Sequence, residues 1–194
     1  AVDSSAVPAM ESRETPDSKT IEDLVATANR LYPREDGREW TAADTLKTVA
    51  VTVLHPEDDD HEGPWREVIA VALPGDRQVD MKRLEAQFAP AELEESTEDD
   101  LKAHPEMVAG YMGPMVFGKQ GEAAGVAEPV RFFIDAHVAE GTEWIIGGDE
   151  AGKHRFHAVY GRDFKADGTV EAVEVRHGDM SPDGSGPLSF ERGV

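Results

Sequence analysis

Residues 48–54 read Thr-Val-Ala-Val-Thr-Val-Leu, and residues 65–73 read Trp-Arg-Glu-Val-Ile-Ala-Val-Ala-Leu. Both runs are rich in β-branched residues, which favour extended backbone on a pleated, partly buried surface. An acidic loop, His55 to Pro64, separates them. The pattern predicts two antiparallel strands with a long connection, and the rest of the fold is organised around this pair.

Further elements lie on both sides of these strands. Thr20 is a candidate N-cap for a helix that carries Ile21 and Leu24 at helical spacing. Short helices are expected from Thr41 towards Leu46, after Pro74 and from Ser96. Four more strands are expected at residues 131–138, 143–146, 154–160 and 169–176. Helices and strands do not alternate regularly, so the sequence predicts an α+β fold with a mixed, barrel-like sheet flanked by short helices.

Composition sets the boundaries of the folded part. Residues 1–18 are rich in Ser, Pro and charge without hydrophobic periodicity, so we expect a flexible tail or linker there. Residues 19–194 are expected to form one domain. The first residue is Ala rather than Met, which suggests a segment of a longer chain.

The charge balance limits the partners. The chain has 40 acidic and 19 Lys and Arg residues, a net charge of −21, so contact with nucleic acid must be local or depend on an attached domain. Without cysteine, neither disulfides nor thiolate metal sites are expected. We see neither an apolar run of about 18 residues nor a signal peptide, so we expect a cytoplasmic location and no membrane partner.

A tight turn at residues 110–114, Gly-Tyr-Met-Gly-Pro, is flanked by apolar residues. Glycine tolerates positive φ and proline fixes its own φ, so this stretch is expected to form a bend anchored in the core. Such a bend either joins two elements or directs backbone N–H groups at one point, as an oxyanion site requires. The turn alone leaves both interpretations open.

Other candidate positions also have two interpretations. Ile21 and Leu24 fit an ordinary helix core, and His154 fits a hydrogen-bonded or surface histidine. Lys47 lies where a predicted helix passes into a buried strand, so its ammonium either reaches water or lies at the edge of a pocket. His154 and His157 lie an odd number of residues apart on a predicted strand, so they cannot share one metal ion.

The motifs occur in an order that resembles the insertion (editing) domain of bacterial-type prolyl-tRNA synthetase, a family related to free-standing deacylases. They are residues 20–24 (TIEDL), 45–48 (TLKT), 75–76 (GD) with 82–84 (KRL), 110–114 (GYMGP), 147–154 (GGDEAGKH), 161–164 (GRDF), 178–179 (GD) and 181–184 (SPDG). The resemblance covers roughly residues 19–194, and residues 191–194 resemble the return into the synthetase catalytic domain.

The resemblance implies hydrolysis of alanine wrongly esterified to proline tRNA, by direct attack of water in a small, size-selective pocket. It assigns Lys47, Gly110 and His154 to the family's catalytic set. It implies as partners a tRNA acceptor end with a small amino acid and the rest of a parent synthetase. No cofactor is implied for this domain, because ATP and Mg²⁺ belong to the absent catalytic domain.

The resemblance also assigns substrate contacts. Ile21 and Leu24 correspond to the apolar walls of the amino-acid pocket, and Gly113 and Pro114 belong to its G-x-x-x-P loop. One departure affects the site: Asp149 stands where the family usually has Asn. A non-catalytic module that binds aminoacyl-tRNA or a protein, and a free-standing deacylase of other specificity, remain alternatives.

Overall fold

The computed structural model describes residues 4–181 and 184–189. Its strands form one mixed sheet in the order β1-β7-β6-β2-β3-β5-β8. The remaining strand, β4, also belongs to this sheet and pairs with β2. The strands are β1 (Glu11–Glu14), β2 (Thr45–His55), β3 (Trp65–Pro74), β4 (Glu92–Glu95), β5 (Phe132–Asp135), β6 (Glu143–Gly147), β7 (Lys153–Val159) and β8 (Gly168–Val170). Two parts of the sequence match, residues 182–183 and 191–194, lie outside the described residues.

The predicted central hairpin is confirmed. β2 and β3 pair antiparallel from Leu46 opposite Pro74 to His55 opposite Trp65. β2 also pairs in parallel with β6, as β3 does with β5 and β5 with β8. The sheet is therefore mixed, and with its few short helices the chain has the α+β fold that the sequence predicts. Among the described residues, no strand pair joins β1 to β8.

The helices are α1 (Ile21–Leu31), α2 (Met81–Glu85), α3 (Glu98–Lys102) and α4 (Gly118–Ala123). Thr20 is the N-cap of α1, as predicted, because its hydroxyl accepts the Asp23 N–H at 3.1 Å. The third helix begins one residue later than expected: its N-cap is Thr97, since the hydroxyl of Ser96 bonds to Thr52 instead.

Both faces of the central hairpin are buried, because alternate residues of a strand point to opposite sides. One face contributes Leu46, Ala70 and Ala72 to a cluster that includes Phe117, Phe132 and Ile146. The other contributes Val51, Val53, Ile69 and Val71 to a cluster closed by Leu84 of α2 and Ala172. This two-sided burial explains why β2 and β3 have nearly continuous apolar sequences.

Two predictions for the N-terminal part are wrong. The expected helix from Thr41 towards Leu46 is only a 3₁₀ turn at Ala42–Asp44, because Thr45 and Leu46 pair with β6. The expected tail at residues 1–18 contains β1, which pairs with β7, and Thr15 is fully buried behind it. β1 is a mostly exposed, charged edge strand, so no hydrophobic period marks it in the sequence.

The predicted strand at residues 169–176 is also shorter than expected. β8 ends at Val170, although Ala172 and Val173 are buried. The N–H groups of Ala172 and Val173 donate to the carboxylate of Asp135, at 2.7 and 3.2 Å, instead of to a strand. A side-chain acceptor thus replaces the expected backbone ladder.

Candidate active site

A cavity of about 260 Å³ opens between the start of α1, one edge of β2 and the turn between β6 and β7. The sequence-predicted residues that line it are Ile21, Leu24, Lys47, Gly110 and His154. These residues are far apart along the chain, so the fold brings them together. The cavity is also lined by Lys19, Thr20, Leu46, Thr48, Val49, Met112 and Gly147.

The cavity lies where β2 lacks a neighbouring strand. On this edge β2 pairs with β6 only at Thr45 and Leu46, and with β4 only from Val51 onwards. Gly147 ends the pairing with β2, because the chain turns there to pair with His154 in β7. The interval at residues 47–50 therefore forms a gap in the sheet.

The register of the hairpin shows which backbone groups point into this gap. Gly75 donates its N–H to the Thr45 carbonyl at 2.7 Å, so odd-numbered residues of β2 direct their backbone groups towards β3. Even-numbered residues direct theirs to the opposite edge. The N–H and C=O of Thr48 therefore point into the gap, where no described strand pairs with them.

The hydroxyl of Thr48 is a second unusual polar group in this wall. Its Oγ1 is buried and has no hydrogen-bond partner among the described residues. A buried hydroxyl without a partner costs free energy, so its presence beside a cavity points to a polar ligand atom. Sequence reasoning missed Thr48 as a site residue, because a threonine in a β-branched run is an ordinary strand residue.

His154 projects from β7 into the wall of the cavity and is only 4% exposed. Its Nδ1 lies 2.6 Å from Oγ1 of Thr15, and its ring lies 5.3 Å from the Tyr111 ring. Burial lowers the pKa of His154 to about 4, so the imidazole is neutral at pH 7. A neutral ring can donate or accept one proton but supplies no fixed positive charge.

Positive charge at the cavity comes from two lysines. Lys47 is half-buried, and burial lowers its pKa, while the nearby carboxylates of Glu174 and Asp76 oppose that shift. Lys19 is exposed, and its Cβ and Cγ pack against Gly110. Neither ammonium group has a hydrogen bond or an ion pair within the described part of the chain. Both are therefore free to contact an anion.

The glycine turn, residues 110–113, is held against neighbouring chain segments. Gly110 has φ +80°, and a Cβ there would lie 2.8 Å from the Cβ of Lys19. A Cβ at Gly113 would lie 2.0 Å from the carbonyl oxygen of Gly147. Only glycine fits at these two positions. Gly110 has a positive φ and lies against the Lys19 side chain, and Gly113 lies against the Gly147 carbonyl.

The expected use of the glycine-turn N–H groups needs a correction. The Gly113 N–H donates to Oδ1 of Asp149 at 2.7 Å, and the Tyr111 N–H donates to the Val108 carbonyl at 2.9 Å. Neither group is therefore free to hold a substrate carbonyl. The N–H groups of Gly110 and Met112 have no hydrogen bond in the described residues and remain available.

Gly113 and Pro114 do not line the cavity, although both were predicted as substrate contacts. Pro114 is buried and begins a 3₁₀ turn, Pro114–Val116, that follows the glycine turn. Gly113 is the last residue of the glycine turn and the N-cap of this 3₁₀ turn. Direct contact of both residues with substrate stays a prediction from the family resemblance.

The comparisons with known proteins define the class. A family model described as the aminoacyl-tRNA editing domain matches residues 15–164. The match covers most of the chain, and the chain belongs to this family.

Particular relatives are proline–tRNA ligases. The chain is 66% identical to the ligase of Bifidobacterium longum over 193 residues, which covers 100% of this chain and 32% of that protein. It is 50% identical to the ligase of Kineococcus radiotolerans over 188 residues, 97% of this chain and 30% of that protein. The chain thus spans about a third of the length of the curated relatives it matches.

Solved structures share the fold at low sequence identity. One is described as a candidate trans-editing enzyme for prolyl tRNA synthetase. It matches with a TM-score of 0.55 and 12% identity, over 86% of this chain and 87% of that chain. In the described part of this chain, none of the helices has the length and apolar character needed to cross a bilayer.

Proposed function

We propose that this chain is the post-transfer editing domain of a proline–tRNA ligase and hydrolyses alanine from mischarged proline tRNA. The observation that supports this most directly is the common cavity of Ile21, Leu24, Lys47, Gly110 and His154. The relatives named proline–tRNA ligase support the choice of tRNA.

The proposal fits the limits of amino-acid selection by size. A synthetic site built for proline rejects the smaller alanine weakly, because a lost methylene is worth only about 1–3 kcal/mol. A second site that admits alanine and excludes proline removes the error. The whole cavity is larger than an alanyl group, so the selection must come from the part bounded by Ile21 and Leu24. Leu24 is 2% exposed and closely packed, so its side chain forms a rigid boundary of the cavity.

Water is the proposed nucleophile. The chain has no cysteine, and the hydroxyls that line the cavity belong to Thr20, which caps α1, and Thr48. The water oxygen bonds to the ester carbonyl carbon, the bond from that carbon to the ribose oxygen breaks, and a water proton passes to the ribose oxygen. The N–H groups of Gly110 and Met112 are free to stabilise the oxyanion.

The polar atoms of the substrate have partners in the same wall. The carbonyl of Thr48 points into the gap beside β2 and is free to accept a hydrogen bond from the alanyl amino group. The ammonium groups of Lys19 and Lys47 would bind the phosphate and ribose of the terminal adenosine. This local positive charge offsets the repulsion expected from a net charge of −21.

The parent ligase and the tRNA acceptor end are the proposed partners, and the cytoplasm, where tRNA is charged, is the proposed location. The hydrolysis needs no cofactor in this domain. ATP and Mg²⁺ would act in the separate catalytic domain of the ligase.

The test is deacylation of alanyl-tRNA(Pro) and prolyl-tRNA(Pro) by the purified chain, with binding to uncharged tRNA measured in parallel. We expect release of alanine and no release of proline. Binding of the charged tRNA without hydrolysis would instead indicate a non-catalytic module. Release of proline in place of alanine would indicate a deacylase of other specificity.

A further inference from the structure

Asp149 occupies the turn between β6 and β7, outside the cavity lining. Its backbone has φ +60°, a conformation that Asp and Asn tolerate better than most residues. Its side chain is only 4% exposed. A carboxylate this deeply buried requires compensating partners, and these partners connect it to the glycine turn.

Hydrogen bonds of Asp149 join the turn between β6 and β7 to the glycine turn. Its Oδ1 accepts the Gly113 N–H at 2.7 Å. Its own N–H donates to the carbonyl of Tyr111 at 2.9 Å. These two hydrogen bonds hold Tyr111 and Gly113 of the glycine turn against the turn between β6 and β7.

Arg155 provides the charge that balances this carboxylate. Its Nη1 lies 2.5 Å from Oδ2 of Asp149 and 3.4 Å from the carbonyl oxygen of Gly147. Burial raises the pKa of Asp149, while Arg155 and the Gly113 N–H oppose the shift. Among the described residues, removing Arg155 would leave this buried carboxylate with the Gly113 N–H as its one hydrogen-bond donor, which favours its neutral form.

These hydrogen bonds of Asp149 also affect the geometry of the cavity. Tyr111, whose carbonyl is held by Asp149, also packs its ring 5.3 Å from the His154 ring. Gly110 and Met112, on either side of Tyr111, line the cavity. A shift of the turn would therefore move the free N–H groups of the cavity relative to His154.

We infer that Asp149 and Arg155 form a positioning pair: the carboxylate holds the glycine turn in its working geometry, and the guanidinium keeps that carboxylate charged. Neither residue lines the cavity, so the pair acts through the turn. The kinetic part of this inference rests on the proposed deacylation.

The experiment compares Arg155→Gln, Asp149→Asn and the double variant with the unmodified 194-residue chain. Arg66→Gln is the matched control, because Arg66 is an exposed arginine in ion pairs with Glu94 and Asp100, on strand β3. Each single variant should lower kcat for alanyl-tRNA deacylation by about tenfold or more, with KM within about twofold. Asp149→Asn alone leaves the Arg155 guanidinium without its anionic partner. The double variant removes both charges and keeps a carboxamide oxygen for the Gly113 N–H, so it should recover most of the activity.

The pH profile gives a readout that simple loss of stability does not give. In Arg155→Gln, activity above the uncatalysed rate should rise with pH as Asp149 ionises, because burial without the guanidinium raises the pKa of Asp149 further. The unmodified chain and the double variant should lack this rise. Hydrogen exchange at the Gly113 amide, measured in parallel, should be faster in Arg155→Gln than in Arg66→Gln.

Each outcome decides between the alternatives. If the unmodified chain is active and Arg155→Gln matches Arg66→Gln in kcat and pH profile, the positioning inference is wrong. If the unmodified chain has no deacylase activity, the proposed function fails, and amide exchange alone tests the pair. Unchanged exchange at Gly113 in Arg155→Gln would then overturn it, and faster exchange would support it.

Discussion

The Oγ1 atom of Thr15 lies 2.6 Å from Nδ1 of His154, and both side chains are buried. Thr15 directly follows β1, whereas His154 lies on β7, with which β1 pairs. The hydrogen bond fixes the imidazole ring and leaves Nε2 as the ring nitrogen for contact with a ligand. The N-terminal strand is thus part of the architecture of the site.

The first prediction tests this hydrogen bond. Thr15→Val keeps the shape of the side chain but removes the hydroxyl, so His154 loses its only side-chain hydrogen-bond partner among the described residues. We expect kcat for alanyl-tRNA deacylation to fall about tenfold, the value of one lost hydrogen bond. Thr15→Ser should retain most of the activity, because it keeps the hydroxyl. Equal activity of the Val and Ser variants would exclude a role for this contact.

The sequence predicts the elements whose local pattern and tertiary environment agree. β2 and β3 are β-branched and buried on both faces, and Thr20 has the chemistry of an N-cap. Prediction fails where pairing determines the structure instead. β1 is charged and exposed, and its strand conformation depends on β7, which lies about 140 residues further along the chain.

The site likewise contains some residues that the sequence predicts and others that only the tertiary structure reveals. The resemblance predicts Lys47, Gly110 and His154 as site residues, and the fold brings these residues to one cavity. The sequence did not reveal that Asp149 occupies the Gly113 N–H, because this hydrogen bond depends on the relative placement of two distant turns. Thr15 was also missed, since a threonine beside a Ser- and Pro-rich segment resembles a linker residue.

Lys47→Ala should abolish deacylation without unfolding the domain. The ammonium has no ion pair in the described residues, so the fold does not depend on it. Loss of a positioned charge in the cavity should lower kcat/KM by at least about a hundredfold. The control is Lys82→Ala, which removes an exposed lysine from α2. Circular dichroism should give the same spectrum for both variants, and retained activity in Lys47→Ala would refute the assignment.

Leu24→Ala should widen the amino-acid pocket. Leu24 is 2% exposed and lines the cavity, so truncation opens space where larger side chains are excluded. We expect measurable hydrolysis of prolyl-tRNA(Pro), together with a loss of about 2–5 kcal/mol in the free energy of unfolding. Leu31→Ala, on the same helix but 43% exposed, should change neither. Unchanged selectivity in a folded Leu24→Ala domain would show that Leu24 is not a pocket wall.

Thr48→Val should stabilise the domain, although it changes a buried residue of the central strand. Oγ1 of Thr48 has no partner among the described residues, and valine replaces the hydroxyl with a methyl group of similar shape. We expect the free energy of unfolding in urea to rise by about 1 kcal/mol. If the hydroxyl contacts substrate, KM for alanyl-tRNA should rise in the same variant. A loss of stability would mean that the hydroxyl has a partner in solution, such as water.

The stability of the domain should depend on His154 between pH 7 and pH 5. Burial lowers the pKa of His154 to about 4, whereas the unfolded chain has a pKa near 6.5. As the pH falls through this window, the unfolded state binds a proton that the folded state does not, so folding is disfavoured. The expected loss at pH 5 is about 2 kcal/mol relative to pH 7. His154→Gln should lack this component, and urea unfolding of both proteins at the two pH values isolates it from other titrating groups. Identical pH dependence in the two proteins would mean that His154 is not held neutral by burial.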